Sequence, residues 1–304
     1  MKRAAALALT GFLAGAAFGA NKNIGTSGAQ FLKIGAGARP TAMGDAFVGV
    51  ADDVNAGYYN PAGLGLLEKP EFTAMHTQYF QGLNYDYGAY VHPLAHGAVA
   101  FSMATLTTDD ITRRGNDESV QGTFQNQDSA YTMSYAHKIN NGLALGLTGR
   151  WISQEIDTAS ASTWSGDAGI FKRSDESPFT FGLAVRHFGQ GVKFNEETDP
   201  LPLTIDGGAA VSMSFDRLIL ATNVRKARDA DVQFGVGTEW RDSIFGKIRY
   251  AGRAGYNSAN TDADGANGLS LGAGLGYKKF DFDFAWIPFG DLGNTFRYAA
   301  HVKF

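Results

Sequence analysis

A period of two residues governs the hydropathy pattern over most of this chain. The segment FDFDFAW at 280–286 places phenylalanines on one face and aspartates on the other. The segment LALGLTGRW at 143–151 alternates leucines with small or polar residues in the same way. Alternation of this kind predicts β-strands with one apolar and one polar face. The chain is therefore expected to be all-β from about residue 71 onward.

Fourteen such segments can be counted, and the connections between them alternate in length. The segments are 71–80, 85–92, 97–106, 127–139, 142–154, 166–173, 179–188, 203–214, 218–226, 231–241, 248–257, 269–278, 280–287 and 295–304. Long polar connections, each after an odd-numbered segment, are predicted at 107–126, 155–165, 189–202 and 258–268. Short turns at one end and long loops at the other are typical of outer-membrane barrels. We therefore predict an all-β, 14-stranded antiparallel transmembrane β-barrel over residues 71–304.

The composition of the two strand faces favours a barrel over a soluble β-sandwich or propeller. The polar faces carry mainly Gly, Ala, Ser and Thr, which suits a lumen, whereas the apolar faces carry large and aromatic side chains, as a lipid-facing band does. A sandwich would instead bury its apolar faces in a protein core. Aromatic residues near strand ends are expected to form interfacial girdles: Trp151, Trp240, Tyr256, Tyr277 and Trp286.

The C-terminal segment TFRYAAHVKF ends in Phe304, with Phe296, Tyr298, Ala300 and Val302 spaced at the same period of two. It resembles the C-terminal signal by which outer-membrane barrels are recognised by their assembly machinery. This resemblance implies that the assembly machinery is a partner through Phe304. The alternative is an ordinary edge strand that ends in phenylalanine.

Residues 1–20 have the layout of a secretory signal peptide. Lys2 and Arg3 precede a mostly apolar stretch, and small residues allow cleavage after Gly19. The alternative, a transmembrane anchor, needs roughly 20 apolar residues. We therefore expect export and a location in the bacterial outer membrane, among its lipids.

The charge of the exported chain excludes several classes of function. Loss of the first twenty residues leaves 26 − 2 = 24 Lys and Arg against 30 Asp and Glu, a net charge of −6. An acidic balance argues against nucleic acid as a partner. Without cysteine, the chain has no disulfide framework and no thiol chemistry.

Residues 21–70 lack the two-residue alternation and precede the first strand. Short helices are expected at about 42–50 and 53–59, the second capped by Asp52 or Asp53. Pro61 suits the first turn of a further short helix. The segment is too short for a domain of its own. We therefore predict a partly helical plug, or hatch, in the mouth or lumen of the barrel.

The segment GARPTAMGDAFVGVADDVNAGYYNPAGLG at 37–65 closely resembles the N-terminal signature of the PorV/PorQ family. Its NPAGL motif resembles the hallmark of the wider FadL-type fatty-acid transporter superfamily. Both groups are outer-membrane barrels with the N-terminal segment folded into the lumen. The resemblance implies that Asn60, Pro61, Ala62 and Gly63 dock the hatch against the inner wall, with a structural and gating role.

Six arginines fall on the small and polar faces of the predicted strands: Arg150, Arg186, Arg225, Arg249, Arg253 and Arg297. They could form a luminal salt-bridge network with acidic residues on the same faces: Asp206, Glu239, Asp281 and Asp283. Alternatively, some could bind the carboxylate or phosphate head of an amphipathic ligand, for which guanidinium geometry is well suited. The sequence leaves both interpretations open.

No pattern in the sequence predicts catalytic residues, a cofactor or a metal site. The run that begins at Asn260 copies the first half of a calcium loop, but Leu271 stands where a glutamate is required. An outer-membrane hydrolase would need a nucleophile and a base at a recognisable spacing, and none is found.

Two functions are left. The FadL resemblance implies a channel for hydrophobic or amphipathic small molecules. The PorV resemblance implies an accessory component of type IX secretion or surface attachment that binds secreted cargo proteins.

Overall fold

The computed structural model describes residues 23–140, 142–174, 176–214, 217–260 and 268–304. Its strands are β1 (Glu71–Gln78), β2 (Leu83–Leu94), β3 (Gly97–Thr108), β4 (Ile111–Arg114), β5 (Val120–Phe124), β6 (Asn126–Asn140), β7 (Leu143–Ile156), β8 (Ala159–Ser174), β9 (Ser177–Gly189), β10 (Thr204–Met213), β11 (Leu218–Ala227), β12 (Val232–Ile244), β13 (Ile248–Asn257), β14 (Leu269–Tyr277), β15 (Phe280–Pro288) and β16 (Asn294–Lys303). The signal peptide predicted for residues 1–20 lies outside the described residues.

The helices are short. The described residues contain two α-helices, α1 (Ala38–Ala42) and α2 (Ala56–Tyr59), and 3₁₀ helices at Gln30–Lys33, Pro61–Leu66, Phe80–Gly82, Ser258–Asn260 and Gly290–Leu292. Among the helices in the described ranges, none has the length and apolar character needed to cross a membrane.

All strands except β4 and β5 form one closed, antiparallel barrel of fourteen strands. Neighbours in the chain are neighbours in the barrel, and β16 pairs with β1 along its full length to close the wall. Each of the fourteen predicted segments coincides with one of these strands. The predicted 14-stranded antiparallel barrel is confirmed.

The side chains of each strand point alternately into the barrel and out of it. In β1, Glu71, Thr73, Met75 and Thr77 are buried, and the residues between them are exposed. Outward aromatic side chains also stack across strands. Trp151 of β7 lies opposite Trp164 of β8, with 4.9 Å between ring centroids. This alternation produces an apolar outer surface and a lumen lined by small and polar residues.

The two ends of the barrel differ, and we call them the lower and upper rims. The lower rim carries the tight turns, such as Leu94–Gly97 and Tyr277–Phe280, and the end of the chain. The upper rim carries the long connections at 109–125 and 190–203. The predicted loop at 155–165 is wrong, because β7 runs to Ile156 and β8 begins at Ala159.

Two of the predicted long connections carry structure of their own. The connection predicted at 107–126 holds the β4–β5 hairpin, which forms a separate two-stranded sheet. The connection predicted at 189–202 turns inward, where Val192 and Leu201 pack against Phe31 and Leu32. Most of the connection predicted at 258–268 lies outside the described residues.

Residues 23–70 fill the lumen. Met43, Phe47, Tyr59 and Leu64 have no exposed surface and lie in one cluster with wall residues such as Tyr85. A fourteen-stranded barrel is too wide to be filled by its own side chains. The plug therefore supplies most of the buried hydrophobic core, which packs against inward side chains of the wall.

Local backbone geometry corrects the predicted plug helices. The helix expected at 42–50 is wrong, because Gly44, Asp45 and Ala51 have positive φ values, which a helix does not tolerate. Of 53–59, only α2 is helical. Neither Asp52 nor Asp53 is its N-cap; Asn55 occupies that position, and Asp53 accepts the backbone N–H of Asn55. The helix that begins at Pro61 is present as predicted, as a 3₁₀ helix.

Candidate functional site: a polar cavity between plug and wall

A cavity of about 320 Å³ lies between the first turns of the plug and the upper half of the wall. The wall contributes Arg186, Arg225 and Arg297, three of the six arginines predicted to face the lumen. The plug contributes Lys33 and Asp45. The remaining lining is mixed, and its polar members include Gln30, Tyr79, His187, Gln233, Asn257 and Asn260.

Two of the cavity arginines share one carboxylate. Arg186 of β9 donates from Nε and Nη2 to Asp206 Oδ2, at 2.9 and 2.7 Å, and Arg225 of β11 donates from Nε to Asp206 Oδ1 at 2.7 Å. All three side chains are inward positions of neighbouring strands, so the barrel register brings them together. Two guanidinium groups against one carboxylate leave the cluster with a positive charge. Arg225 Nη2 is buried and has no partner in the described part of the chain.

Arg297 of β16 faces the cavity without an acidic partner among the described residues. Its Nη2 donates to the Tyr79 hydroxyl at 2.8 Å, and its Nη1 donates to the carbonyl of Gly35 in the plug. Its Nε is buried, and none of the described residues accepts from it. Its charge is therefore not neutralised by a direct contact.

His187 lies next to Arg186 and presents a third donor beside the cavity. The Arg150 guanidinium donates to His187 Nδ1 at 2.8 Å, so the imidazole is neutral and carries its proton on Nε2. Within the described ranges this buried Nε2 has no partner. Arg150 itself is held by Asp167, at 2.5 Å, and does not line the cavity.

Asp45 is the only carboxylate that lines the cavity in the described chain, and it belongs to the plug. It accepts from the Tyr59 hydroxyl at 2.7 Å and from Asn257 Nδ2 at 3.0 Å. Burial and the neighbouring Asp45 both raise the pKa of Tyr59, so this phenol stays protonated and donates. The carboxylate of Asp45 is thus already occupied by donors.

The balance of charge around the cavity is positive. Four cationic side chains line it, and the three carboxylates that border or contact them, Asp45, Asp206 and Asp229, leave 4 − 3 = +1. Three of the unpartnered polar groups around it are donors, namely Arg225 Nη2, Arg297 Nε and His187 Nε2, whereas Asp229 Oδ1 and Asn223 Oδ1 are acceptors. Donors together with positive charge favour a carboxylate or a phosphate.

The other predicted luminal arginines serve the wall and the plug. Arg253 contacts Glu239 and Asp283, both at 2.6 Å, and Arg249 contacts Asp281 at 2.7 Å near the lower rim. These acidic partners, with Asp206, are the four named from the sequence. Neither Arg249 nor Arg253 lines the cavity.

Arg39 of the plug was missed by sequence reasoning. Its guanidinium joins Glu239 of the wall, at 2.8 Å, to Asp52 and Asp53 of the plug, at 2.6 and 2.7 Å. The only signal in the sequence is its place inside the 37–65 segment. His187 and Lys33 were also missed, although His187 adjoins Arg186.

Asn60, Pro61, Ala62 and Gly63 lie in a seat of wall glycines. Asn60 Nδ2 donates to Val48 O in the plug and to Ile170 O in β8, at 3.3 and 3.0 Å. Its Oδ1 accepts the N–H of Ala62 at 3.2 Å. The chain passes so close to the wall that a Cβ atom at any of three inward glycines would overlap it: Gly146, Gly169 and Gly182.

The described residues contain no candidate metal site, because no three His, Cys, Asp or Glu side chains among them form a group that could hold an ion. Most of the incomplete calcium motif after Asn260 falls outside those residues.

Neither a protein-family model nor a curated protein matches the sequence. Solved structures do match the fold. The toluene transporter TbuX of Ralstonia pickettii superposes with a TM-score of 0.62 at 15% identity, over 89% of this chain and 98% of that chain. The monoaromatic hydrocarbon channel CymD gives 0.60 at 12% identity, over 89% and 98%. A Pseudomonas aeruginosa FadL homologue gives 0.53 at 13%, over 86% and 97%.

One of these neighbours is a FadL homologue, and the likeness shows a shared fold, which agrees with the FadL-type resemblance of the NPAGL motif. The resemblance to the PorV/PorQ family stays a prediction.

Proposed function

We propose that this chain is a non-enzymatic channel of the bacterial outer membrane that passes hydrophobic or amphipathic compounds with an anionic group through its plugged lumen. The closed barrel with its aromatic outer surface supports the membrane location. The FadL-type neighbours, which include a toluene transporter and a monoaromatic hydrocarbon channel, support the transport role.

The observation that carries the proposal is the cavity between plug and wall. Arg186, Arg225 and Arg297 line it, and a net positive charge remains after their partners are counted. A purely apolar compound would leave these donors without a partner, which costs binding free energy. A carboxylate would satisfy them, while the apolar remainder of the ligand follows the boundary between plug and wall.

Uptake into proteoliposomes tests this function. Vesicles that contain the reconstituted barrel and enclose a carboxylate sensor are expected to take up decanoate. Arg225→Gln should lower the rate of uptake roughly tenfold, since a charge-assisted hydrogen bond contributes about 1.5–3 kcal/mol. Arg249→Gln is the matched control, because Arg249 also pairs with an inward carboxylate but lies outside the cavity. Equal losses in both variants, or no decanoate uptake at all, would contradict the proposal.

For this function we propose that the chain has three segments: a signal peptide at 1–20 for export, a hatch at 21–70, and the barrel at 71–304. In the hatch, Asn60, Pro61, Ala62 and Gly63 hold the lower part against the wall, and the part around the cavity moves to admit a ligand. Their contacts with β7 and β8 support this division of roles.

Phe304 is proposed as the residue that the barrel assembly machinery recognises. Its side chain is 60% exposed at the lower rim, and its N–H donates to the Pro70 carbonyl at 3.0 Å. Deletion of Phe304 is expected to reduce assembled barrel in the outer membrane. Unchanged assembly would reject this role.

A PorV/PorQ-type role in type IX secretion is the second candidate function, and one feature favours it. The β4–β5 hairpin stands apart from the barrel sheet at the upper rim, and Val120 at the start of β5 is 65% exposed. A secreted cargo protein could dock there. Deletion of 111–124 should then abolish cross-linking to exported proteins and leave decanoate uptake unchanged.

A further inference from the structure

The outer surface of the barrel carries a groove across the seam where β16 meets β1. It has a volume of about 980 Å³ and reaches from Tyr250 on β13 to Met103 on β3. Most of the side chains that line it point outward, and several are at least two-fifths exposed, including Phe282, Leu275 and Tyr298. The groove is therefore open on the side opposite the plug.

One cross-strand row of small residues forms the floor of this groove. Ala74 of β1 lies opposite Gly88 of β2 on one side and Ala300 of β16 on the other. The same row continues into Met103 of β3 and Phe282 of β15, whose larger side chains form the borders. The depression thus results from residue size along one row.

The next row toward the upper rim is polar on β1, β2 and β3 and aromatic on β16 and β15, where Tyr298 and Phe284 line the groove. His76 lies opposite Asp86, and His76 Nδ1 is 2.7 Å from Asp86 Oδ1. Both side chains are more than half exposed on the outward face. Thr105 lies opposite Asp86, also lines the groove, and is 8% exposed, and its Oγ1 has no partner in the described part of the chain.

The depth of this polar row matters. His76 is two residues below the end of β1 at Gln78, which is about 7 Å along a strand. Polar groups that face hydrocarbon are costly unless they are paired. His76 and Asp86 pair with each other, whereas Thr105 Oγ1, which has no partner among the described residues, can bond to a group from outside the chain.

We infer that the groove is a binding site for one acyl lipid of the surrounding membrane, with its apolar tail over Ala74, Gly88 and Ala300. The ester and head-group region of the lipid contacts His76, Asp86 and Thr105. The inference rests on the proposed membrane location but not on transport. An amphiphile fits because the lining is mostly apolar, and His76, Asp86 and Thr105 adjoin one another in the row above Ala74 and Gly88.

Native mass spectrometry tests this site with palmitoyl-oleoyl phosphatidylethanolamine added to the full-length barrel in detergent. Gly88→Leu fills the floor without straining the wall, because a Cβ atom there meets only the Thr73 carbonyl, at 3.9 Å. Gly149→Leu is the matched control, since Gly149 is an outward glycine on β7 with nothing within 4 Å of its Cβ position.

Wild type and Gly149→Leu are expected to retain one more lipid molecule than Gly88→Leu does. The apparent affinity of Gly88→Leu for this lipid should be roughly tenfold lower than that of wild type. Replacement of both His76 and Asp86 by Leu should abolish the preference for phosphatidylethanolamine over diacylglycerol. Equal retention by all variants would overturn the inference. So would a two-chain species that Gly88→Leu abolishes, because a second copy would then cover this face.

Decanoate uptake by the same variants separates this inference from the proposed function. Gly88→Leu should transport as wild type does, because the groove lies outside the lumen. A barrel that retains the lipid but takes up no decanoate would reject the channel and leave the lipid site standing.

Discussion

The plug meets the wall in two different ways at its two ends. At the lower seat, Asn60 and the residues after it touch wall glycines so closely that no side chain fits between them. At the upper cavity, Lys33 and Asp45 face three wall arginines across an open space of about 320 Å³. The first contact is made of backbone and small residues, and the second of long charged side chains.

This difference assigns two roles to the two ends of the plug: the lower end fixes it to the wall, and the upper end binds a ligand in the proposed function. Close packing of backbone against glycine permits few alternatives, so the lower seat fixes the plug. Long side chains around a cavity can change partners more readily, so under the proposed function the upper end is the part that moves to admit a ligand. The predictions below test this division.

Gly146→Val should have the largest effect on stability and on the position of the plug. A side chain at this inward position overlaps Pro61 and Ala62, and the backbone of the plug cannot yield locally. We expect the free energy of unfolding to fall by about 3 kcal/mol and the plug to be displaced. Urea unfolding and bilayer conductance to small ions would show both.

Gly149→Val on the same strand is the control for that variant, because nothing lies within 4 Å of its Cβ position. It should remain closed and stable. A closed and stable Gly146→Val barrel would show that the lower seat does not fix the plug.

Asn60→Leu comes next, with an expected loss of about 2–3 kcal/mol in the free energy of unfolding. The substitution keeps the volume but leaves the Val48 and Ile170 carbonyls and the Ala62 N–H without their side-chain partner. Asn60→Asp keeps the acceptor for Ala62 but sets a buried carboxylate oxygen against the Val48 and Ile170 carbonyls, so it should lose at least as much at neutral pH. Chemical unfolding of both variants checks this, and a loss in Asn60→Asp well below that in Asn60→Leu would show that the amide donors contribute nothing.

Asp53→Asn tests the ion pair between plug and wall by its pH dependence. Burial alone would raise the pKa of Asp53, but the Arg39 guanidinium holds it below the usual 3.8. A lowered pKa means that the stabilisation is complete above pH 3.8 and disappears as the pH falls through the folded-state value.

Wild-type conductance should therefore stay low from pH 5 to 8 and rise only below about pH 4. Asp53→Asn should lose about 1.5–3 kcal/mol of stability at pH 7, and conductance recorded across this range would show the difference. An opening of the wild-type barrel near pH 6 would point to a different titrating group.

Lys33→Met should have the smallest effect on stability, below about 1 kcal/mol, because the Lys33–Asp229 pair is partly exposed. Asp229 also keeps the amide of Gln30 as a donor. Thermal unfolding measures this change. A loss as large as that of Asn60→Leu would mean that the upper end also fixes the plug.

Much of the barrel could be predicted because each strand carries its own signal. In β15, alternate phenylalanines and aspartates are required by the lipid-facing and luminal sides, so the period of two survives in the sequence. The prediction of a loop at 155–165 was wrong because that alternation is missing there. Ser160 and Ser162 of β8 are outward residues near the upper rim, where both faces are polar and the alternation disappears.

Most of the site depends on contacts that no local pattern encodes. Arg39 and Glu239 are 200 residues apart in the chain, and only barrel closure around the plug joins them. The inward direction of the arginines followed from strand register, but which of them share a cavity depends on the path of the plug. That path includes positive φ values at Gly44 and Asp45, where the sequence suggested a helix.

Calorimetric binding of decanoate and decanol to the purified barrel tests the central claim most directly. Wild type should bind decanoate at least roughly tenfold more tightly than decanol, since only the carboxylate satisfies the cavity donors. Arg297→Gln removes a cation without an acidic partner in the described chain and should abolish most of that preference. Equal affinities for the two compounds in wild type would contradict an anion site between plug and wall.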